Sequence, residues 1–319
     1  MTENHKTVLI IGAAGGLAQI LIEIILNKRS DLSIIGIDSR SLSNVKKHPK
    51  LTLLQLPYTR GNFERIFRET KIDYVFHLAR LSHSSMLNEN LTKRLELSVM
   101  GTNRILELSE RFDIKKLVIL STFHVYGAYP DNSIFLGENS PLRASIEHAE
   151  LRDVVEMDQT CTSWMWRNQS KLETVLLRPC NIIGGRINNT MTQFLASKFA
   201  IKPIDYNPMF QFIHEFDMAN ILFRALESVP TGVYNIATDD FMSLSQALSI
   251  MKNSGIPFPM VLGKPINGLL KHLGMSVPNY LIDYLKFSCL IDNSKIKEVL
   301  GEDFYRYTIA ETLKLSKPA

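Results

Sequence analysis

The stretch Thr7-Val-Leu-Ile-Ile-Gly12-Ala-Ala-Gly15-Gly16-Leu17-Ala18 decides the fold of this chain. Thr7 to Ile11 are five β-favouring residues in a row, the pattern of a strand covered on both faces. The glycines then turn the chain, and Leu17 to Lys28 continues with apolar residues at helical spacing. Gly12 permits a tight turn. Gly15 leaves room for a phosphate against the backbone, and the small Ala18 lets the helix pack close to the strand. The helix start, at Gly16 and Leu17, offers unpaired N–H groups and the positive end of its dipole to an anion.

Working outward, Ser33 to Ile37 is a second apolar run, and Asp38 ends it. A carboxylate at that point accepts both hydroxyls of an adenosine ribose and repels a 2′-phosphate, so NAD is expected in preference to NADP. Arg40, two residues on, is the feature that speaks for NADP. Leu51–Leu54, Tyr74–Leu78, Leu117–Leu120 and Thr174–Leu177 extend the series of strands. Helical segments are expected near 62–70, 91–111 and 148–168. Short apolar strands alternating with helices mean a doubly wound parallel sheet, an α/β fold of the Rossmann type. Beyond Pro179 the pattern changes: Pro and Gly become frequent and helices short. The expected division is therefore a dinucleotide-binding domain over 1–178 and a smaller substrate domain over 179–319. Strands at Gln211–His214 and Gly232–Ile236 are expected to return to the first sheet, and 265–290 carries amphipathic helical patterning.

Composition narrows the function classes. The 319 residues carry 36 Lys+Arg against 32 Asp+Glu, with 45% apolar residues. That excludes a disordered or collagen-like chain, and the scattered basic residues do not argue for nucleic acid. Cys161, Cys180 and Cys289 lie far apart, which suits reduced thiols in a cytoplasm better than a disulfide frame or a zinc site. No signal peptide and no membrane span are expected. No metal site is read either: His214 and Asp217 are expected to order a turn.

Further along, the residues resemble the extended short-chain dehydrogenase/reductases, the group of NAD-dependent epimerase/dehydratases that includes UDP-glucose 4-epimerase. The Gly12/Gly15/Ala18 spacing is one of its turn patterns. His77-Leu78-Ala79 looks like the family's His-x-Ala-Ala, whose backbone lies over the cofactor. Gly101-Thr-Asn103, Ser121-Thr122-Phe-His124-Val-Tyr126-Gly127, Leu177-Arg178-Pro179 with Gly184, Phe212-Ile-His-Glu-Phe-Asp217 and Gly232-Val-Tyr-Asn235 follow in family order. The resemblance implies cofactor contacts at Gly12, Gly15, Gly16, Leu17, Asp38, Leu78, Ala79 and Pro179. It also implies a second domain closing over a small-molecule substrate, often a nucleotide sugar, and a homodimer through the helices at 91–111 and 148–168. Met157, Trp164 and Trp166 are candidates for that contact or for plain core.

The sequence departs from the family at the reacting centre. The family uses a Tyr with a Lys four residues later, on one helix face. No Tyr here has a Lys at that spacing. Laying the family's helix on this chain puts Glu150 at the Tyr and Val154 at the Lys. Thr122 takes the family's hydroxyl position, and His124 is a candidate proton carrier. Three alternatives stay open: Glu150 is the proton acceptor; the site is degenerate and only binds; or Glu150 is a solvated residue in register with Arg152. Phe123-His124 lacks the Asp-Glu pair of family dehydratases, and Leu53 to Asn62 lacks the Asp that meets adenine. The expected activity is an epimerase- or dehydratase-like oxidoreductase or isomerase with an atypical site. The alternative is a catalytically degenerate NAD sensor or structural partner of an active relative.

Overall fold

The computed structural model describes residues 5–79, 94–198, 200–263 and 278–316. The start of the expected 91–111 helix and the first half of the 265–290 pattern lie outside the described residues. The elements used below are β1 (Lys6–Ile11), α1 (Gly16–Lys28), β2 (Leu32–Asp38), β3 (Leu51–Gln55), α2 (Arg60–Glu69), β4 (Tyr74–His77) and α3 (Gly101–Arg111). They continue with β5 (Lys116–Leu120), α4 (Arg152–Asn168), β6 (Glu173–Pro179), β7 (Asn181–Ile183), β8 (Phe212–His214), α5 (Glu215–Glu227), β9 (Gly232–Ile236) and α6 (Asn279–Tyr284).

Seven strands form one sheet in the order β9-β6-β5-β4-β1-β2-β3, and every neighbouring pair is parallel. This is the expected doubly wound α/β sheet. Alternate residues of β1 feed two separate cores. Val8 and Ile10 pack on the face that α1 and α5 cover, whereas Leu9 and Ile11 meet α2, α3 and α4. Burial on both faces explains why the strands read as unbroken apolar runs. Met157 and Trp164 belong to the second core, while Trp166 is exposed.

The late strands part company. Gly232–Ile236 pairs in parallel with β6 at the sheet edge. Phe212–His214 pairs instead with β7 in a small sheet of its own. His214 then starts α5: its Nδ1 accepts from Phe216 N, and the Asp217 carboxylate accepts from Tyr307 N. His214 caps the helix start, whereas Asp217 ties α5 to the distant segment at Tyr307.

A buried charged network joins these parts. Arg178, at the end of β6, is 2% exposed and pairs with Asp158 of α4 through Nε (3.0 Å) and Nη2 (2.6 Å). Its Nη1 donates to the Tyr126 hydroxyl and to the Glu138 carbonyl. The Tyr126 hydroxyl in turn donates to Asn235 Oδ1 of β9 at 2.7 Å. Ser121 Oγ completes the set by donating to Asp158. Burial pushes the Tyr126 phenol up to about 12, so it stays a neutral donor at working pH.

His77, at the end of β4, is buried with its Nε2 2.8 Å from Thr102 Oγ1 of α3. Burial lowers it from 6.5 to about 4, because the interior disfavours the imidazolium. Below about pH 6.5 the unfolded chain binds a proton that the folded chain refuses. Stability is therefore expected to fall from pH 6.5 to pH 4, by at most about 1.4 kcal/mol per pH unit from this residue. Urea titrations of wild type and His77→Gln across that window measure it. The same slope in both proteins would refute it.

Candidate functional site

The strand order reverses between β1 and β4, and at the carboxyl ends of these strands a cleft opens. Ligands of open α/β sheets bind at such a switch point. The cleft encloses about 380 Å3. Gly15, Gly16 and Leu17 line one end, with Arg186 against Gly16, and Thr122, His124 and Tyr280 line the other; Pro179 is also on the lining. A wider depression of about 710 Å3 lies by Glu107, Glu110, Lys171 and Leu172, at the amino ends of β5 and β6. It is far from the switch point.

The glycine turn works by close backbone approach. Gly12 has φ +95°, and a Cβ there would stand 2.8 Å from the Ala79 nitrogen. Gly12, Leu78 and Ala79 thus form packed backbone at the strand ends and are not among the cleft-lining residues. Gly16 serves a different contact: a Cβ would stand 2.1 Å from the carbonyl oxygen of Arg186. The loop after β7 therefore crosses directly over the start of α1. Buried Glu215 supports that loop by accepting from Arg186 N at 2.9 Å. Helix α1 has no side-chain cap and no acidic residue in its first turn. Its positive end faces the cleft, with Arg40 and Arg186 on the lining.

Asp38 is buried and fully engaged. Its Oδ1 accepts from Arg40 N (2.9 Å) and Nε (3.1 Å), and its Oδ2 from Ala14 N (3.0 Å) and Arg40 Nη2 (3.0 Å). Burial alone would raise this carboxyl. The Arg40 guanidinium and the two backbone N–H groups outweigh it and hold Asp38 below its ordinary value. Tyr58 sits beside this pair, where the family's adenine-facing Asp would be sought. Burial, reinforced by the Asp38 charge, pushes its phenol up.

At the far end Thr122 is buried and its Oγ1 accepts from His124 N. The His124 ring packs edge-on to Tyr280 (5.6 Å) and Tyr284 (4.9 Å) of α6, and its carbonyl accepts from the Tyr284 hydroxyl. Glu150 lies in the turn Ala149–Leu151, outside the cleft lining. Its Oε1 accepts from Tyr280 N at 2.7 Å. Two residues earlier His148 Nε2 meets Asp283 Oδ2 at 2.9 Å. The segment thus grips α6 twice. Glu147, His148 and Asp283 also bring three potential ligand atoms within 4.8 Å of one another, a grouping built between distant parts of the chain. Arg94 holds the turn from behind, pairing with buried Asp153 at 2.6 Å and donating to the Glu150 carbonyl. Val154 is buried in the core.

The profile of the NAD dependent epimerase/dehydratase family matches residues 8–237. The chain belongs to that family. An uncharacterized protein of Mycobacterium tuberculosis is 24% identical over 196 residues, which cover 61% of this chain and 52% of that one. The chain thus spans about half the length of that curated relative. Two solved structures share the fold nearly end to end. UDP-glucose 4-epimerase of Thermotoga maritima, solved with UDP-glucose, superposes with a TM-score of 0.75 at 18% identity and 97% coverage of both chains. UDP-glucose 4-epimerase of Thermus thermophilus, solved with NAD, gives 0.74 at 18% identity and 97% coverage of both.

Among the expected site residues of this epimerase/dehydratase family member, one cleft brings together Gly15, Gly16, Leu17, Pro179, Thr122 and His124. Asp38 lies behind Arg40, and Glu150 lies outside the cleft. Tyr280, Arg186 and Glu215 are cleft or support residues that sequence reasoning missed. Gly184 was the one visible signal for Glu215, since a Cβ on it would stand 2.1 Å from the Glu215 carboxyl carbon. Gly16→Ala is expected to destabilise the fold by about 1–3 kcal/mol, because backbone and not a flexible tip must move. Chemical denaturation measures this, and an unchanged midpoint would show that the 184–187 loop yields freely.

Proposed function

We propose that this chain binds NAD in the cleft and acts on an alcohol or carbonyl group of a small molecule of the nucleotide-sugar class. The observation that carries the proposal is the cleft itself. It runs from an uncapped helix start flanked by two arginines to a buried Thr122 hydroxyl, at the point where the strand order reverses. The pyrophosphate would lie against the N–H groups at Gly16 and Leu17. Gly12, Leu78 and Ala79 would form the floor beneath the dinucleotide, and Pro179 a wall. Asp38 would accept the adenosine ribose once Arg40 has moved aside, and its charge favours NAD over NADP. Bound NAD supplies the acceptor for a hydride. Thr122 would hold the substrate oxygen, and His124 stands within reach of the same end. The Thermotoga and Thermus epimerases, solved with UDP-glucose and with NAD, support the ligand classes.

A second assignment rests on Val154 and Glu150. Val154 is core, so the family's lysine position provides no cation, and Glu150 is spent on α6. An NAD-responsive binding protein, or a structural partner of an active relative, fits those two facts. We place the chain in the cytoplasm, on its three buried free thiols. No described helix is long and apolar enough to cross a membrane. A homodimer through α3, α4 and the turn before α3 is supported by exposed Leu97, Met100 and Trp166. We divide the chain into a dinucleotide domain over 1–178, which α5 and β9 rejoin, and a substrate domain over the rest of 179–319.

Denatured protein is expected to release NAD or NADH. Added NAD is expected to raise the melting temperature, and a panel of nucleotide sugars to reveal turnover by chromatography or nicotinamide absorbance. Absence of both bound dinucleotide and stabilisation sinks the cofactor assignment. Binding without turnover leaves the second one. Arg40→Ala removes the two guanidinium bonds to Asp38 and leaves those from the backbone N–H groups of residues 14 and 40, so NAD is expected to bind roughly 3- to 30-fold tighter, the worth of one or two exposed charge-assisted bonds. Calorimetric titration tests this, and weaker binding would show that Arg40 instead holds the phosphates.

A further inference from the structure

We propose that Glu215 is a positioning residue, the latch of a backbone strap over residues 184–187 that sets how fast NAD enters and leaves the cleft. The inference rests on the NAD binding proposed above and holds whether or not turnover follows.

The register of the small sheet creates the contact. His214 of β8 stands opposite Ile183 of β7, so the next residues, Glu215 and Gly184, leave the sheet side by side. A Cβ on Gly184 would stand 2.1 Å from the Glu215 carboxyl carbon. Glu215 is 3% exposed, and a carboxyl so far from water needs donors. The strap supplies them. Arg186 N donates to Oε2 at 2.9 Å, and the N–H groups of Gly185 and Ile187 donate to the same carboxyl. Consecutive N–H groups turned toward one anion form a nest, here filled by a side chain of the protein itself.

Arg186 carries the strap on to α1. Its carbonyl oxygen stands 2.1 Å from where a Gly16 Cβ would be, and its Nη1 pairs with Glu23 of α1 at 2.9 Å. One residue thus joins two helices: its N–H meets the first residue of α5, and its carbonyl and side chain meet α1. The far side of the strap is closed as well. Asn189 donates to the Ile182 carbonyl at 2.7 Å and caps the helix Thr190–Ala196. Arg186 and Ile187 line the same cleft as Gly15, Gly16 and Leu17. Backbone packed on Gly16 stands at the helix start that a pyrophosphate would use. It must lift for the pyrophosphate to arrive or depart, and lifting parts the N–H groups from the Glu215 carboxylate. Hydrogen bonds to a buried charge resist that step in both directions.

The full chain is first shown to bind NAD by equilibrium dialysis, then loaded with radiolabelled NAD and chased with unlabelled NAD. Glu215→Gln keeps the side-chain size, removes the charge and turns an NH2 group toward donors. It is expected to raise the association and dissociation rates together, roughly 10- to 100-fold, with Kd within about threefold. Gly184→Ala displaces the carboxyl from the other side and is expected to move both rates the same way. A merely structural role would instead raise dissociation alone and weaken binding. Trypsin cleavage of the native chain after Arg186, read by mass spectrometry, reports the strap directly. It is expected to be faster in both variants without NAD, and NAD is expected to slow it at least ~10-fold in the wild type. Wild-type exchange and cleavage rates in a folded variant overturn the proposal, as does dissociation that rises while association stays unchanged. Bound NAD that leaves wild-type cleavage unchanged overturns it without any variant. In each of these cases the cofactor assignment stands. If the wild type binds no NAD, that assignment falls and the gate with it.

Discussion

Arg178 holds the site together. Its guanidinium is out of water and spends its donors on Asp158, Tyr126 and the Glu138 carbonyl. Those partners come from α4, from the loop after β5 and from the segment that meets β9. A charge taken so far from solvent is tolerable only if every donor is matched, and removing one partner typically costs about 3–5 kcal/mol. The network therefore admits one arrangement of these segments. Thr122 stands between two of its members, Ser121 and Tyr126, so its hydroxyl on the cleft lining is placed by electrostatics laid down beneath it.

The opposite end of the cleft depends on backbone proximity. Gly12 and Gly16 have no Cβ because Ala79 and Arg186 stand where one would be. The first contact closes the sheet at the switch point, and the second brings the loop after β7 over the helix start. A ligand bound here meets both halves of the chain at once. Arg40, folded back on Asp38, neutralises that buried carboxylate until a ligand competes for it.

Much of this was legible in the chain. Burial on both faces leaves an unbroken apolar run, so the strands declare themselves. The turn at Gly12–Ala18 declares one end of the cleft because its glycines are demanded by local geometry. The family order of short motifs pointed to Thr122, which lines the cleft. Glu150 was less legible. Its position follows from counting along a helix, but the turn at Ala149–Leu151 breaks the helix there and turns the carboxylate toward α6. Nothing in the local sequence announces that partner. Gln211–His214 likewise has strand character, yet it pairs with β7, since pairing is settled by where the preceding loop delivers it.

The sequence by itself determined the parallel sheet, the glycine turn and the absence of a Tyr and Lys at helical spacing. Each is a property of residues close together in the chain. Only the tertiary structure decided that Arg186 covers Gly16, that Arg40 occupies Asp38, and that Tyr280 joins Thr122 and His124. These contacts span large separations in sequence. They exist because close packing and the cost of unpaired buried polar groups leave each segment one place to go.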